Sequence, residues 1–309
     1  MITKILIAIL ILFLILNLVA YFQAYKFTHF DNSPNKTDAS NLSIFQKISA
    51  LLFGVSNPRP ENLMTPSQPF ETIILNSNKK IECWLIKNDS SKGTVVLFHG
   101  YGGNKSSLRD KANIFLSLGY NTLLVDFMGS GGSEGNQTTI GFYEAEEVKT
   151  CVDYLTNKGE KNIILFGTSM GAVAIMKAEH DCKLNAQSII IECPFGRMLQ
   201  TVEARFKLMG IPSFPMANLL VFWGGFQNKF DAFAHNPIKY AKHIKCPTLL
   251  IYGKQDPKVS KKEIGKIYKK LKGKKELKIY KNAGHDNYLE EYRAEWAADI
   301  KSFLESSIR

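Results

Sequence analysis

The chain has 309 residues, 45% of them hydrophobic and 22% charged, which allows one large core and argues against a disordered protein. Five cysteines, Cys83, Cys151, Cys182, Cys193 and Cys246, stand apart with no Cys-x-x-Cys pair, a pattern that speaks against a disulfide framework and against a zinc site. The formal net charge is +11, but much of it lies between Lys254 and Lys281, where lysines surround Ile264, Ile267, Tyr268 and Leu271 at helical spacing. That reads as the solvated face of an amphipathic helix, or as a patch for anionic lipid headgroups, and without arginine or a binding fold it does not read as a nucleic-acid surface.

In chain order, the first element is an apolar run over residues 5–22, interrupted only by Asn17. As a helix it spans about 27 Å, close to the thickness of a hydrocarbon core. Lys4 precedes it, Tyr21 and Phe22 sit where interfacial aromatics belong, and Lys26 follows, so residues 1–26 read as an uncleaved single-pass membrane anchor. The short tail before the run favours a large domain outside the cytoplasm. Residues 27–69 are polar and proline-punctuated, the pattern of a juxtamembrane linker, with one short helix expected around 44–53.

From residue 70 onward the pattern is that of a folded domain, 70–309. A hairpin over 71–75 and 80–86 precedes an alternation of apolar runs and amphipathic stretches. Strands are predicted at 94–98, 121–126, 162–166, 188–191, 248–252 and 277–280, and helices at 108–118, 143–155, 172–178 and 292–304. Continuous Val/Ile/Leu runs between amphipathic helices predict an α/β fold, a mostly parallel sheet with helices on both faces. The alternation breaks over about 197–243, an aromatic and proline-containing insertion that reads as a small helical cap above the site.

Ser169 sits in Gly167-Thr168-Ser169-Met170-Gly171, between a predicted strand and a predicted helix. Strand, Gly-x-Ser-x-Gly turn and helix together lift a serine hydroxyl off a sheet edge. The pattern recurs as Gly131-Gly132-Ser133-Glu134-Gly135, but in a glycine-rich loop without a following helix, so Ser133 reads as a loop residue. A serine needs a base, and the base needs an orienting acid. His285 lies just past the last predicted strand and is the expected base; Asp256, after the strand at 248–252, is the expected acid. Asp286 is the rival acid and Asp126 the fallback. The backbone N–H groups of Tyr101 and Met170 are the expected oxyanion-hole donors, and His99 is expected to hold the loop rather than to react.

These segments, together with His99-Gly100-Tyr101-Gly102-Gly103, the run from Asp126 to Gly135, Gly253-Lys254-Gln255-Asp256-Pro257 and Ala283-Gly284-His285, resemble the α/β-hydrolase superfamily, in particular its serine aminopeptidase-like branch. The resemblance implies the α/β-hydrolase fold and hydrolysis of an ester, thioester or amide through an acyl-enzyme. Many relatives carry arginine where this chain has Met128, so no role passes to that side chain. The expected activity is carboxylic ester hydrolysis, lipid or acyl esters included, on a small-molecule substrate at a membrane, with no metal or organic cofactor and no nucleic acid. A serine peptidase on the same residues, with Glu192 or Glu203 anchoring a peptide amine, is the alternative. A non-catalytic binding protein on a hydrolase scaffold is the second.

Overall fold

The computed structural model describes residues 1–33, 43, 45–46, 49–50, 54, 56–285 and 288–307. Among the described residues eight strands form one sheet: β1 (Glu71–Asn76), β2 (Lys80–Ile86), β3 (Thr94–Phe98), β4 (Asn121–Val125), β5 (Ile163–Thr168), β6 (Ser188–Glu192), β7 (Thr248–Gly253) and β8 (Lys275–Tyr280). Their order is β1-β2-β4-β3-β5-β6-β7-β8. The hairpin pairs antiparallel with itself and with β4, and every later pairing is parallel. All residues of β3, β6 and β7 are buried, so both faces of the sheet's centre are covered, as their unbroken apolar runs require.

The helices are α1 (Ile2–Thr28), α2 (Arg109–Ser117), α3 (Glu144–Asn157), α4 (Met170–Cys182), α5 (Met198–Leu208), α6 (Met216–Gln227), α7 (Pro237–Tyr240), α8 (Lys261–Lys270), α9 (Tyr288–Glu291) and α10 (Arg293–Ser307). A 3₁₀ turn, Lys105–Leu108, leads into α2 because the Asn104 Oδ1 accepts from Ser107 N at 3.1 Å. The lysine-rich stretch is helix α8, opened by a capping box in which Ser260 and Glu263 satisfy each other's backbone; Ile264 and Ile267 are buried on its inner side and the lysines are exposed. The last predicted helix is α10, and the short α9 before it is not predicted. The helix expected around 44–53 falls largely outside the described residues.

The chain divides into two compact units, Arg59–Gly196 with Asn236–Arg309, and Met1–Pro58 with Arg197–His235. The first holds the whole sheet. Its core is built around Phe115, Phe166 and Trp296, whose rings meet edge to face at 5.7–6.1 Å. The second holds α1, α5 and α6.

Inside the sheet unit a buried cation ties the loops at the strand ends. Lys105 is fully buried; its Nζ donates to Asp126 Oδ2 and, at 2.7 Å, to Glu82 Oε1, and it lies 4.3 Å from the Trp84 ring centroid. Asp126 also accepts from Lys105 N at 2.6 Å, Gly132 N at 2.9 Å and Asn62 Nδ2 at 2.7 Å. Asn62, within the stretch expected as a tether, is thereby held on the sheet unit, as is Arg59, which donates to the Gly131 carbonyl at 3.1 Å. Replacing Lys105 with alanine strands two carboxylates, one of them fully buried. It should lower unfolding free energy by about 3–5 kcal/mol, read as a lower urea midpoint of the detergent-solubilised chain.

Candidate active site

β5 ends on Thr168 and α4 begins on Met170, leaving Ser169 alone in the turn with φ 52° and ψ −108°. That backbone region is strained for a residue with a β-carbon, at about 1–3 kcal/mol, and the surroundings hold it there. Ser169 N donates to the Glu192 carbonyl of β6 at 2.8 Å, and Ser169 O accepts from Val173 N at 3.0 Å. The flanking glycines follow from crowding. A β-carbon on Gly167 would stand 2.6 Å from Ala172 N, and one on Gly171 would stand 2.4 Å from the Phe98 carbonyl oxygen.

His285 lies in the loop after β8, and that loop is bound to the end of β7. Lys254 N donates to Tyr280 O at 2.9 Å and Gln255 N to Ala283 O at 3.0 Å. A β-carbon on Gly253 would sit 2.1 Å from Gly284 O, so only glycine lets the two loops meet. The structure thereby joins the three expected side chains: His285 Nδ1 lies 2.7 Å from Asp256 Oδ2, and His285 Nε2 lies 3.0 Å from Ser169 Oγ. The other oxygen of Asp256 accepts from Lys258 N at 2.7 Å and Val259 N at 2.9 Å, which fixes the carboxylate's orientation. With Asp256 accepting the Nδ1–H, the Nε2 lone pair faces the serine hydroxyl.

Two neighbours of this group carry no sequence signal. Cys193 follows β6 with φ 40°, is fully buried, and its thiol donates to the His285 carbonyl at 3.9 Å. Tyr288 Oη accepts from Gly253 N at 3.1 Å and secures the end of β7. Burial is the largest influence on the His285 imidazole and lowers its pKa, but Cys193 and the Asp256 carboxylate together outweigh it and raise the value to about 10. Cys193, Asp256 and His285 offer ligand atoms within 4.8 Å of one another, yet the histidine Nδ1 and the aspartate Oδ2 are already bonded to each other.

The loop expected to supply an oxyanion donor runs beside the serine. A β-carbon on Gly100 would lie 3.5 Å from Ser169 Cβ, so Tyr101, the next residue, is brought into the same neighbourhood. Met170 is the first residue of α4, where backbone N–H groups have no intrahelical partner. His99 is buried, donates from Nδ1 to Gly100 O at 2.8 Å and accepts at Nε2 from Phe127 N at 3.1 Å. Burial holds its pKa below the ordinary histidine value, and the neutral ring pins two loops.

The remaining candidates are occupied elsewhere. Ser133 Oγ donates to Asp126 O at 2.7 Å and accepts from Glu82 N at 2.8 Å. Asp126, the fallback acid, is the buried partner of Lys105, and Asp286 lies outside the described residues. Glu192 is fully buried, ion-paired with Lys111 and accepting from Thr168 Oγ1 at 2.9 Å and Trp296 Nε1 at 2.7 Å.

A mostly parallel open sheet that lifts a serine into a strained strand-to-helix turn, with a histidine and an aspartate arriving from later loops, defines the α/β-hydrolase class. Comparison with known proteins agrees. Residues 89–237 match the family described as serine aminopeptidase, S33, and residues 203–302 match the dienelactone hydrolase family. The Bacillus subtilis protein YqkD is 29% identical over 220 residues, 69% of this chain and 71% of its own. Mouse lysophosphatidylserine lipase ABHD12 is 26% identical over 197 residues, 60% of this chain and 47% of the lipase, so the match spans about half of that relative's length. Among solved structures, the Pyrococcus furiosus esterase Pf2001 superposes with a TM-score of 0.67 at 25% identity, covering 81% of this chain and 98% of the esterase. The chain belongs to the α/β-hydrolase superfamily, and its relatives are esterase- and lipase-like.

Two outcomes are expected from this geometry. By NMR the His285 ring should titrate near pH 10, and Cys193→Ala, which removes one upward pull, should shift that titration to lower pH. The linked stability is present below the ordinary histidine pKa and is lost as pH climbs through the folded value. Ser133→Ala should lower unfolding free energy by about 1–3 kcal/mol, because it leaves the half-buried Glu82 N–H without its acceptor, while the Ser169–His285 contact persists in a structure of the variant.

Proposed function

We propose that the chain is a membrane-anchored serine hydrolase that cleaves carboxylic esters, lipid and acyl esters among them, through Ser169, His285 and Asp256 and an acyl-enzyme. The observation that carries this reading is the continuous contact from Asp256 through His285 to the hydroxyl of a strained serine. Isolated, a serine hydroxyl is a poor nucleophile; a histidine at 3.0 Å held by a carboxylate at 2.7 Å supplies a base in the right tautomer. Neutral His285 takes the hydroxyl proton as Ser169 Oγ adds to the ester carbonyl carbon. Asp256 stabilises the imidazolium, and the N–H groups of Tyr101 and Met170 receive the oxyanion. Collapse breaks the carbon–oxygen bond to the alcohol, which leaves with the proton from His285. Water, deprotonated by His285, then releases the acid and restores the serine.

The ester reading draws support from the esterase neighbour and from the lipase relatives. It also draws support from Glu192. A peptidase needs a carboxylate for the peptide amine, and of the two expected, Glu192 and Glu203, the first is already consumed by Lys111, Thr168 and Trp296. Membrane anchoring draws support from α1, long and apolar enough to cross a bilayer, with most of its apolar side chains exposed.

The full chain in detergent, treated with a fluorophosphonate and mapped by mass spectrometry, should carry the adduct on Ser169. A folded chain without that adduct would remove the assignment and favour a binding scaffold. On a short-chain ester, Ser169→Ala and His285→Ala should each lower kcat by about 10⁶-fold, and Asp256→Asn by about 10⁴-fold. Because only the neutral imidazole can accept the serine proton, kcat/KM should rise with pH into the alkaline range. A profile flat from pH 6 upward would contradict the raised His285 pKa.

A further inference from the structure

Asn17 is the one polar side chain in the apolar run of α1, and both ends of its amide are bonded. Its Nδ2 donates to the Phe13 carbonyl at 2.9 Å, and its Oδ1 accepts from Trp223 Nε1 of α6 at 3.2 Å. One turn further along α1, Tyr21 O accepts from Gln227 Nε2 at 2.8 Å. Ala20 and Ala24, four residues apart and buried, form a small core with Phe206, Ala217 and Leu220 of α5 and α6. Small residues at such spacing let helices approach closely in an apolar medium. The anchor and the insertion are therefore packed as one unit.

Aromatic rings run across that joint without a break. Tyr21 lies 5.5 Å from Phe22 and 5.2 Å from Trp223, and Trp223 lies 5.0 Å from Phe222 and 5.5 Å from Phe226. The outward side stays uncovered: Leu208, Phe214, Phe222, Phe226 and Phe233 are exposed, from 45% at Leu208 to 78% at Phe214. Of these, Phe222 and Phe226 are stacked at 6.3 Å and form a shared apolar surface, the kind that marks an interaction site.

We infer that a lipid bilayer covers it: the insertion Arg197–His235 is a second membrane-seated element, with its exposed phenylalanines in the boundary between hydrocarbon and headgroups. The inference rests on the reading of α1 as a membrane anchor. It follows from depth. At 1.5 Å per residue, Asn17 lies about 8 Å inside the end of the apolar run and Tyr21 within about 2 Å of it, so whatever bonds to those two residues sits between the hydrocarbon border and about 8 Å within it. Tryptophan and tyrosine are enriched at that level, and an asparagine amide placed there needs the partner that Trp223 supplies. Exposed Lys207 and Lys229 near the phenylalanines suit phosphate headgroups. The insertion that reads from sequence as a cap thus has an outer surface made for lipid.

The test uses the full chain in phosphatidylcholine–phosphatidylglycerol vesicles carrying a phosphatidylcholine with a diazirine on its acyl chain. After irradiation, adducts are mapped by mass spectrometry. Adducts on α1 and on residues 208–233 are expected, and Phe222→Ser with Phe226→Ser should reduce those on the insertion severalfold while leaving α1 labelled. Adducts on α1 alone would overturn the inference and leave the anchor reading standing. Adducts on neither would overturn both. Cross-links joining α6 of two chains, with no lipid adduct on it, would assign the face to a second copy and equally overturn the inference.

Discussion

Three stretches of backbone converge on Ser169 at the end of β5, and two of them have no room for another carbon. Gly167 abuts the first turn of α4, Gly171 abuts the end of β3, and Gly100 passes the serine's own β-carbon. This crowding forces the strand to pass directly into the helix within one residue, at a positive φ. The strain is carried by what lies behind it: β5 is hydrogen-bonded on both sides, to β3 and β6, and α4 is buried from Met170 to Glu179. A softer mount would relax the turn and lower the hydroxyl into the sheet. The Gly253–Gly284 approach is the same device used again, bringing the aspartate and histidine loops close enough to share a hydrogen bond.

Buried carboxylates in the sheet unit are sorted by their partners rather than by their type. Asp126 and Glu192 are neutralised by buried lysines. Glu144 accepts four hydrogen bonds from Thr138, Thr139 and Gly141 and clamps a loop. Glu147 accepts one, from Met128 N, and burial beside Glu144 pushes its pKa well above the usual carboxylate range. Asp256 differs because two backbone N–H groups hold one oxygen while the other is left for an imidazole. Placing a carboxylate against a titratable imidazole instead of a permanent cation leaves a proton that can move.

The proposed anchor extends the same economy to the second unit. Asn17, an interruption in an otherwise apolar run, is a bonding partner for the insertion, and the insertion's aromatic outer face continues that of the helix it grips. A hydrolase acting on lipid-like esters would gain from an insertion already resident at the lipid border.

Much of the architecture was legible in one dimension because its determinants are local. Short β-branched and apolar runs at 94–98, 188–191 and 248–252, set between amphipathic stretches, read as strands buried on both faces, and a Gly-x-Ser-x-Gly between strand and helix has one steric solution. Chain order likewise pointed to Asp256 and His285, since each follows a strand whose end lies at the same edge of the sheet. Ser133 shows the limit of pattern alone: the same pentapeptide serves as a buried hydrogen-bond bridge because no helix follows it. What tertiary structure decided is everything that depends on approach between distant segments. Cys193 beside His285, Lys105 consuming Asp126, Lys111 consuming Glu192, and Trp223 meeting Asn17 across 206 positions leave no periodic trace. Each is a contact between side chains whose separation along the chain carries no information about their separation in space.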